Sequence, residues 1–122
     1  MATNNWSHAA TVFAVAKMST AVEFYTKILG FSLEFSWGEP TTYAVLKRAD
    51  LSIHLTLKED NSTPSASHNR LYVFVYDIQK AFDEIVSNGG KTLNTPTTHD
   101  YGMTDFDLKD PDGHIITIGS GH

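Results

Sequence analysis

The chain nearly repeats itself at a shift of 60 residues: Val15, Ala21, Gly30 and Leu33 in the first half answer to Val75, Ala81, Gly90 and Leu93 in the second. Each match sits inside the same local pattern of an apolar strand, a short amphipathic helix, a helix-ending glycine and another strand. A unit that cannot bury its apolar face alone is stabilised by packing on a copy of itself, so duplication predicts two halves sharing one core. With 122 residues, 41% of them apolar, there is enough for one such core and too little for a second independent domain. The chain 1–122 is therefore read as a single domain of two modules, about 7–57 and 70–120, joined by a linker at 58–69.

In the first module a strand is expected from His8 to Val15. Thr20-Ala21-Val22-Glu23 reads as a capping box, with a hydroxyl and a carboxylate satisfying free backbone donors at the start of a helix. Ala21, Phe24, Tyr25, Ile28 and Leu29 recur at three- and four-residue spacing, giving one apolar face, and Gly30 supplies the left-handed exit. Phe31 to Trp37, Thr42 to Lys47 and Leu51 to Leu57 are three further strands, which completes a β-α-β-β-β unit. The stretch from Lys58 to Asn69, rich in Ser, Thr, Asn and Asp and carrying Pro64, reads as a surface connection.

Arg70 to Tyr76 restarts the pattern as a strand, and Asp77 is a candidate N-cap. Ile78, Ala81, Phe82, Ile85 and Val86 form the apolar face of a second helix, which ends at Gly89-Gly90. Later strands are expected at Lys91 to Leu93, Met103 to Leu108 and His114 to Ile118. Asp110-Pro111-Asp112-Gly113 is a tight turn between the last two, because proline presets φ and glycine tolerates positive φ.

Composition excludes several classes of function. The net charge is −5 with no run of Lys or Arg, so the basic footprint of a nucleic-acid binder is missing. No apolar stretch is long enough to span a membrane, and Met1 to Asn5 lacks the charged and apolar regions of a secretory signal, so a cytoplasmic location is expected. The absence of cysteine removes disulfides, thiolate catalysis and Cys-based zinc sites. Any function rests on histidines, carboxylates, hydroxyls and aromatic rings.

Two stretches carry a resemblance: Ala21 to Phe31, reading AVEFYTKILGF, and Tyr101 to His114, reading YGMTDFDLKDPDGH. They resemble the vicinal oxygen chelate superfamily of glyoxalases, extradiol dioxygenases and bleomycin-resistance proteins, and the similarity runs from about His8 to Ser120. The resemblance implies an α+β fold in which two β-α-β-β-β modules build a cupped, barrel-like mixed sheet. It also implies a homodimer that helps enclose a ligand cavity.

Metal-using members of the superfamily carry ligands at four positions, and counting from the two motifs puts three of them on Ala10, Arg70 and Thr117. Only His54 sits near a ligand position with a side chain able to coordinate. A catalytic site for a divalent metal needs about three protein ligands and an open position. No metal, no other cofactor and no catalytic residue is therefore expected, and the resemblance is nearest to the metal-free bleomycin-resistance branch, which acts by sequestration.

Strand alternation places the side chains that line the cup, because residues two apart share a face. If Arg70 points inward, so do Tyr72, Phe74 and Tyr76, while Leu71, Val73 and Val75 pack on the second helix. His54 brings Ser52 and Thr56 with it. Phe106 and Leu108 suit the core, which turns Asp105 and Asp107 toward the opening. With Trp37 and Tyr101 near strand ends, the expected ligand-binding set is Trp37, His54, Arg70, Tyr72, Phe74, Tyr101, Asp105 and Asp107.

An aromatic, acidic lining suits a planar or cationic small molecule, for which bleomycin-like compounds are the model, since aromatic faces attract cations by roughly 0.5 to 2 kcal/mol. Bland readings stand beside this one. The aromatics of 72, 74 and 76 suit a dimer interface equally, His54 suits a polar core position, and Arg70 is placed to pair with Asp105 or Asp107. His99, Asp100 and His114 lie beside turn signals, where such residues are ordinary. The alternative function is a metal-dependent glyoxalase- or dioxygenase-like enzyme with a non-standard ligand set, using His54 with His8, His99 or Asp105.

Overall fold

The computed structural model describes residues 5–58 and 70–121. Residues 59–69, which make up the expected linker beyond Lys58, lie outside the described residues. The elements run β1 (Thr11–Val15), α1 (Met18–Glu23), β2 (Ser32–Trp37), β3 (Tyr43–Arg48), β4 (Leu51–Leu57), β5 (Arg70–Phe74), α2 (Ile78–Ser87), β6 (Thr97–Thr98), β7 (Met103–Lys109) and β8 (Ile115–Gly121). No helix among the described residues is long and apolar enough to cross a membrane.

The strands form two four-stranded mixed sheets, in order β1-β4-β3-β2 and β5-β8-β7-β6. Each has one parallel pair, β1 with β4 or β5 with β8, and is otherwise antiparallel. The fold is the expected α+β pair of β-α-β-β-β modules, with both sheets cupped and neither closed into a barrel. The register repeats as well: Val12 stands opposite His54 as Tyr72 stands opposite Thr117.

One core serves both modules. Phe13, Val15, Ala21, Tyr25, Leu46, Ile53 and Leu55 from the first pack with Ile85, Phe106, Leu108, Ile116 and Ile118 from the second. Each fully buried aliphatic or aromatic side chain contributes about 1.5 to 3 kcal/mol of transfer free energy, so sharing the core is what makes two small units stable together.

Polar contacts register this joint. The Tyr25 hydroxyl donates to Asp110 Oδ2 at 2.8 Å, and the Ala16 amide donates to Asp112 Oδ1 at 2.8 Å. His114, fully buried, places Nε2 2.8 Å from the Ala14 carbonyl and stacks on Phe13 with centroids 4.3 Å apart. On the other side Arg48 makes a bidentate pair with Glu84 at 2.6 and 3.0 Å and also donates to the Leu29 carbonyl at 2.8 Å. The turn after β7 thus grips the first module, and the turn after β3 grips α2.

Local expectations hold where a single residue decides them. Gly30 takes φ +72°, Gly113 takes φ +88°, and the Asp77 side chain caps α2 by accepting from the Lys80 amide at 3.0 Å. The capping box does not form. The first helix starts at Met18 with Lys17 at the N-cap and no side-chain cap, and Thr20 lies inside it. With Met18 buried in the core, the N-cap falls on Lys17, three residues ahead of the polar signal at Thr20. Beyond Glu23 the helix continues over Phe24–Ile28 with wider π-type turns, which keep Tyr25 fully buried. The expected strand at 91–93 reduces to a single bridge from Thr92 to Leu108, and pairing with β7 is taken up by Thr97–Thr98 instead.

Candidate functional site on the cupped sheet faces

In the second sheet, strand alternation divides the side chains as expected. Val73, Phe106 and Leu108 are buried in the core, while Tyr72, Phe74, Asp105 and Asp107 lie on the opposite face. Tyr72 is placed by its pairing with Thr117, and its ring lies across Gly119 on the neighbouring strand. A Cβ at Gly119 would overlap the phenol, so only glycine lets the ring cross β8 to reach β7.

The ring reaches Asp105. Tyr72 donates to Asp105 Oδ2 at 2.8 Å, Tyr101 donates to the same oxygen at 3.2 Å, and His99 Nε2 lies 2.7 Å from Oδ1. Asp105 is only 7% exposed. Burial works to raise its pKa, but the hydrogen bonds from Tyr72, His99 and Tyr101 outweigh it, and the carboxyl is held below its usual range. The same arrangement pushes the Tyr72 phenol up to about 12, through burial and then through its bond to Asp105. Tyr72 is therefore a fixed donor and Asp105 a fixed anion.

Aromatic rings surround this anion. Tyr101 stacks on His99 with centroids 4.9 Å apart and planes 4° off parallel, and Phe74 lies 4.9 Å from Tyr72 with 70% of its surface exposed. Asp107 sits one row further along. It accepts from Thr117 Oγ1 at 2.6 Å and from Asn94 Nδ2 at 2.9 Å, while its amide donates to Asn94 Oδ1. Arg70 occupies the exposed start of β5, and among the described residues it makes no ion pair with Asp105 or Asp107. Phenols, an imidazole, an amide and a hydroxyl hold the two carboxylates in its place.

The first sheet presents a different face. Its rows run Val12-His54-Val45-Phe35 and Ala14-Thr56-Tyr43-Trp37. The Tyr43 hydroxyl lies 2.6 Å from His54 Nδ1, with the two rings edge to face. Trp37, 66% exposed, lines an open depression of about 640 Å³ with Phe35, Thr42, Tyr43, Thr56, Leu57 and Lys58. Trp37 and His54 thus belong to one face, and Tyr72, Phe74, Tyr101, Asp105 and Asp107 to the other. Among the described residues the hydrogen bonds and ring contacts of each set stay within its own module.

The duplicated register and cupped sheets have a counterpart among known families. The model of the Glyoxalase/Bleomycin resistance protein/Dioxygenase superfamily matches residues 7–118. The chain belongs to this superfamily. Solved members share its fold. A glyoxalase/bleomycin resistance protein/dioxygenase from Nocardioides superposes with TM-score 0.80 at 15% identity, covering 98% of this chain and 86% of that one. TioX from Micromonospora sp. ML1 gives 0.80 at 17%, covering 96% and 100%. A virulence protein from Salmonella typhimurium gives 0.72 at 24%, covering the whole of both chains. No curated protein matches the chain.

A metal centre of the kind the superfamily implies does not fit the residues present. Of Ala10, His54, Arg70 and Thr117, alanine offers no donor atom and arginine offers a cation. The Thr117 hydroxyl is 2% exposed and committed to Asp107, while His54 Nδ1 is engaged by Tyr43. The non-standard set does not converge either. His8 contacts Ser7, His54 contacts Tyr43, and His99 contacts Asp105. Among the described residues no three His, Asp or Glu side chains are placed to hold a metal ion.

Sequence reasoning missed His99 as the partner of Asp105. The signal was the hairpin register: Thr97 pairs with Asp105, and His99, just past the end of β6 with its amide on the Met103 carbonyl, falls on the same face two residues on. The two-residue length of β6 hid it.

Proposed function

We propose that the protein is a metal-free ligand-binding member of its superfamily, of the bleomycin-resistance type, which sequesters a planar cationic or aromatic molecule on its cupped sheet faces. The observation that carries this reading is Asp105, a carboxylate kept ionised by three hydrogen bonds and bordered by the rings of Tyr72, Tyr101 and Phe74. An anion in a partly desolvated aromatic setting attracts an organic cation by both Coulomb and ring-face terms. Trp37, His54 and Arg70 complete the proposed contact set on the remaining parts of the two faces.

A homodimer is the proposed assembly. Both faces leave large apolar side chains in solvent, among them Val12, Phe35, Trp37 and Phe74, and a second copy laid over them would dry the ligand's surroundings. The absence of cysteine is consistent with action in a reducing cytoplasm.

Equilibrium titration with bleomycin-type glycopeptides tests the ligand class, read by quenching of tryptophan fluorescence. Saturable quenching supports the assignment, and its absence across such compounds removes it. Sedimentation velocity with and without ligand tests the dimer.

A further inference from the structure

We propose that His99 is the residue whose ring nitrogen meets the bound molecule, accepting a hydrogen bond at Nδ1 from an N–H group of a planar organic cation, while Asp105 behind it is a positioning residue. This rests on the sequestration reading above and names the donor chemistry that the site selects.

The argument begins with the lone pairs of Asp105. An ionised carboxylate only accepts hydrogen bonds, with about four lone-pair directions to offer. Oδ2 already receives the Tyr72 and Tyr101 phenols, and Oδ1 receives His99. The aspartate is almost wholly buried beneath these donors, whereas the His99 side chain keeps 37% of its surface exposed. A ligand approaching the face reaches the imidazole before the carboxylate.

Because Asp105 can only accept, the atom facing it, Nε2, carries the proton. In the neutral ring the lone pair is then on Nδ1, the tautomer being set by the partner of the other nitrogen. Among the described residues Nδ1 has no hydrogen-bond partner. The Tyr101 ring, 4.9 Å away and nearly parallel, fixes the plane in which that lone pair points. His99 therefore presents an oriented acceptor beside aromatic faces, which suits an aromatic cation carrying N–H donors better than one whose cationic nitrogen is fully alkylated.

The test uses two dyes with the same ring system and the same charge. 9-Aminoacridinium carries N–H donors, and 10-methylacridinium carries none. The wild-type protein is expected to bind the amino dye roughly tenfold more tightly, the yield of one net hydrogen bond. His99→Phe keeps the stack on Tyr101 and abolishes the preference, while His99→Gln, which can still donate to Asp105 and accept from the dye, retains part of it. Independently of any ligand, long-range ¹⁵N NMR of the unliganded wild type, at a pH where the ring is neutral, is expected to show His99 as the single Nε2–H tautomer.

A preference that survives in His99→Phe, or a ring protonated on Nδ1 alone, overturns the assignment of His99 and leaves the sequestration reading standing. Failure of the wild type to bind either dye overturns both.

Discussion

Tyr25 on the first helix and Asp110 in the last turn meet across the module boundary, the phenol donating to Asp110 Oδ2 at 2.8 Å with both side chains buried. The same carboxylate accepts the amides of Asp112 and His114, so it organises its own turn while holding the neighbouring module. Tyr25→Phe removes only the hydroxyl. The cost expected from leaving a buried acceptor short of a donor is about 1 to 3 kcal/mol, measured as a lower urea midpoint with an unchanged m-value.

Asp105 and Asp110 are expected to act on acid stability in opposite senses. Burial dominates at Asp110 and raises its pKa in spite of the bond from Tyr25, so the folded chain holds that proton more tightly than the unfolded chain does. Its contribution to stability therefore declines as pH rises from the unfolded value through the folded one. At Asp105 burial is outweighed by the donors Tyr72, His99 and Tyr101, and the pKa is lowered. Its contribution is present above the unfolded value, near about 3.9, and is lost as pH falls through the folded one. Urea midpoints followed from about pH 6 down to pH 3 should fall less steeply in Asp105→Asn than in wild type, and more steeply in Asp110→Asn.

Gly119 and Tyr72 should prove energetically coupled. A methyl group at 119 would lie 2.7 Å from the ring carbons of Tyr72, so Gly119→Ala is expected to cost about 1 to 3 kcal/mol through forced displacement of the phenol. In Tyr72→Ala the obstruction is gone and the same substitution should be nearly neutral. A double-mutant cycle by chemical denaturation reads the difference. Equal costs in the two backgrounds would show that the ring does not cross the glycine.

Arg48→Ala tests the opposite end of the joint. The Arg48–Glu84 pair is partly exposed, with 44% and 36% of the two side chains accessible, so solvent screening limits its worth to about 1 kcal/mol or less. The Leu29 carbonyl also loses its arginine donor in this variant. Glu84→Ala spares that second contact and should therefore be the milder change in thermal unfolding.

Much of the fold was legible because single residues decide it. Gly30, Asp77 and the Asp110-Pro111-Asp112-Gly113 turn each allow few backbone outcomes. The apolar pair Phe106 and Leu108 fixed by parity which way Asp105 and Asp107 would face. What stayed hidden depends on register between segments. Face and charge alone leave Arg70 as one possible partner of Asp105 or Asp107 beside its place in the ligand-binding set. The structure gives Asp105 to His99, which a hairpin too short to show periodicity brings alongside. The start of the first helix was misjudged for a similar reason: Thr20 and Glu23 form a local polar signal, and the burial of Met18 is a tertiary effect that overrides it.

Among the described residues, the polar contacts that join the two modules come from turns, the helices, the end of β3 and the backbone of β1, and the shared core comes from the other side of each sheet, so none uses a side chain of either cupped face. Substitutions on the open face of one sheet can therefore accumulate without loosening the seam. A fold assembled by doubling keeps its seam and its exposed sheet faces on separate sets of residues, so the two faces can diverge from one another while the molecule stays whole.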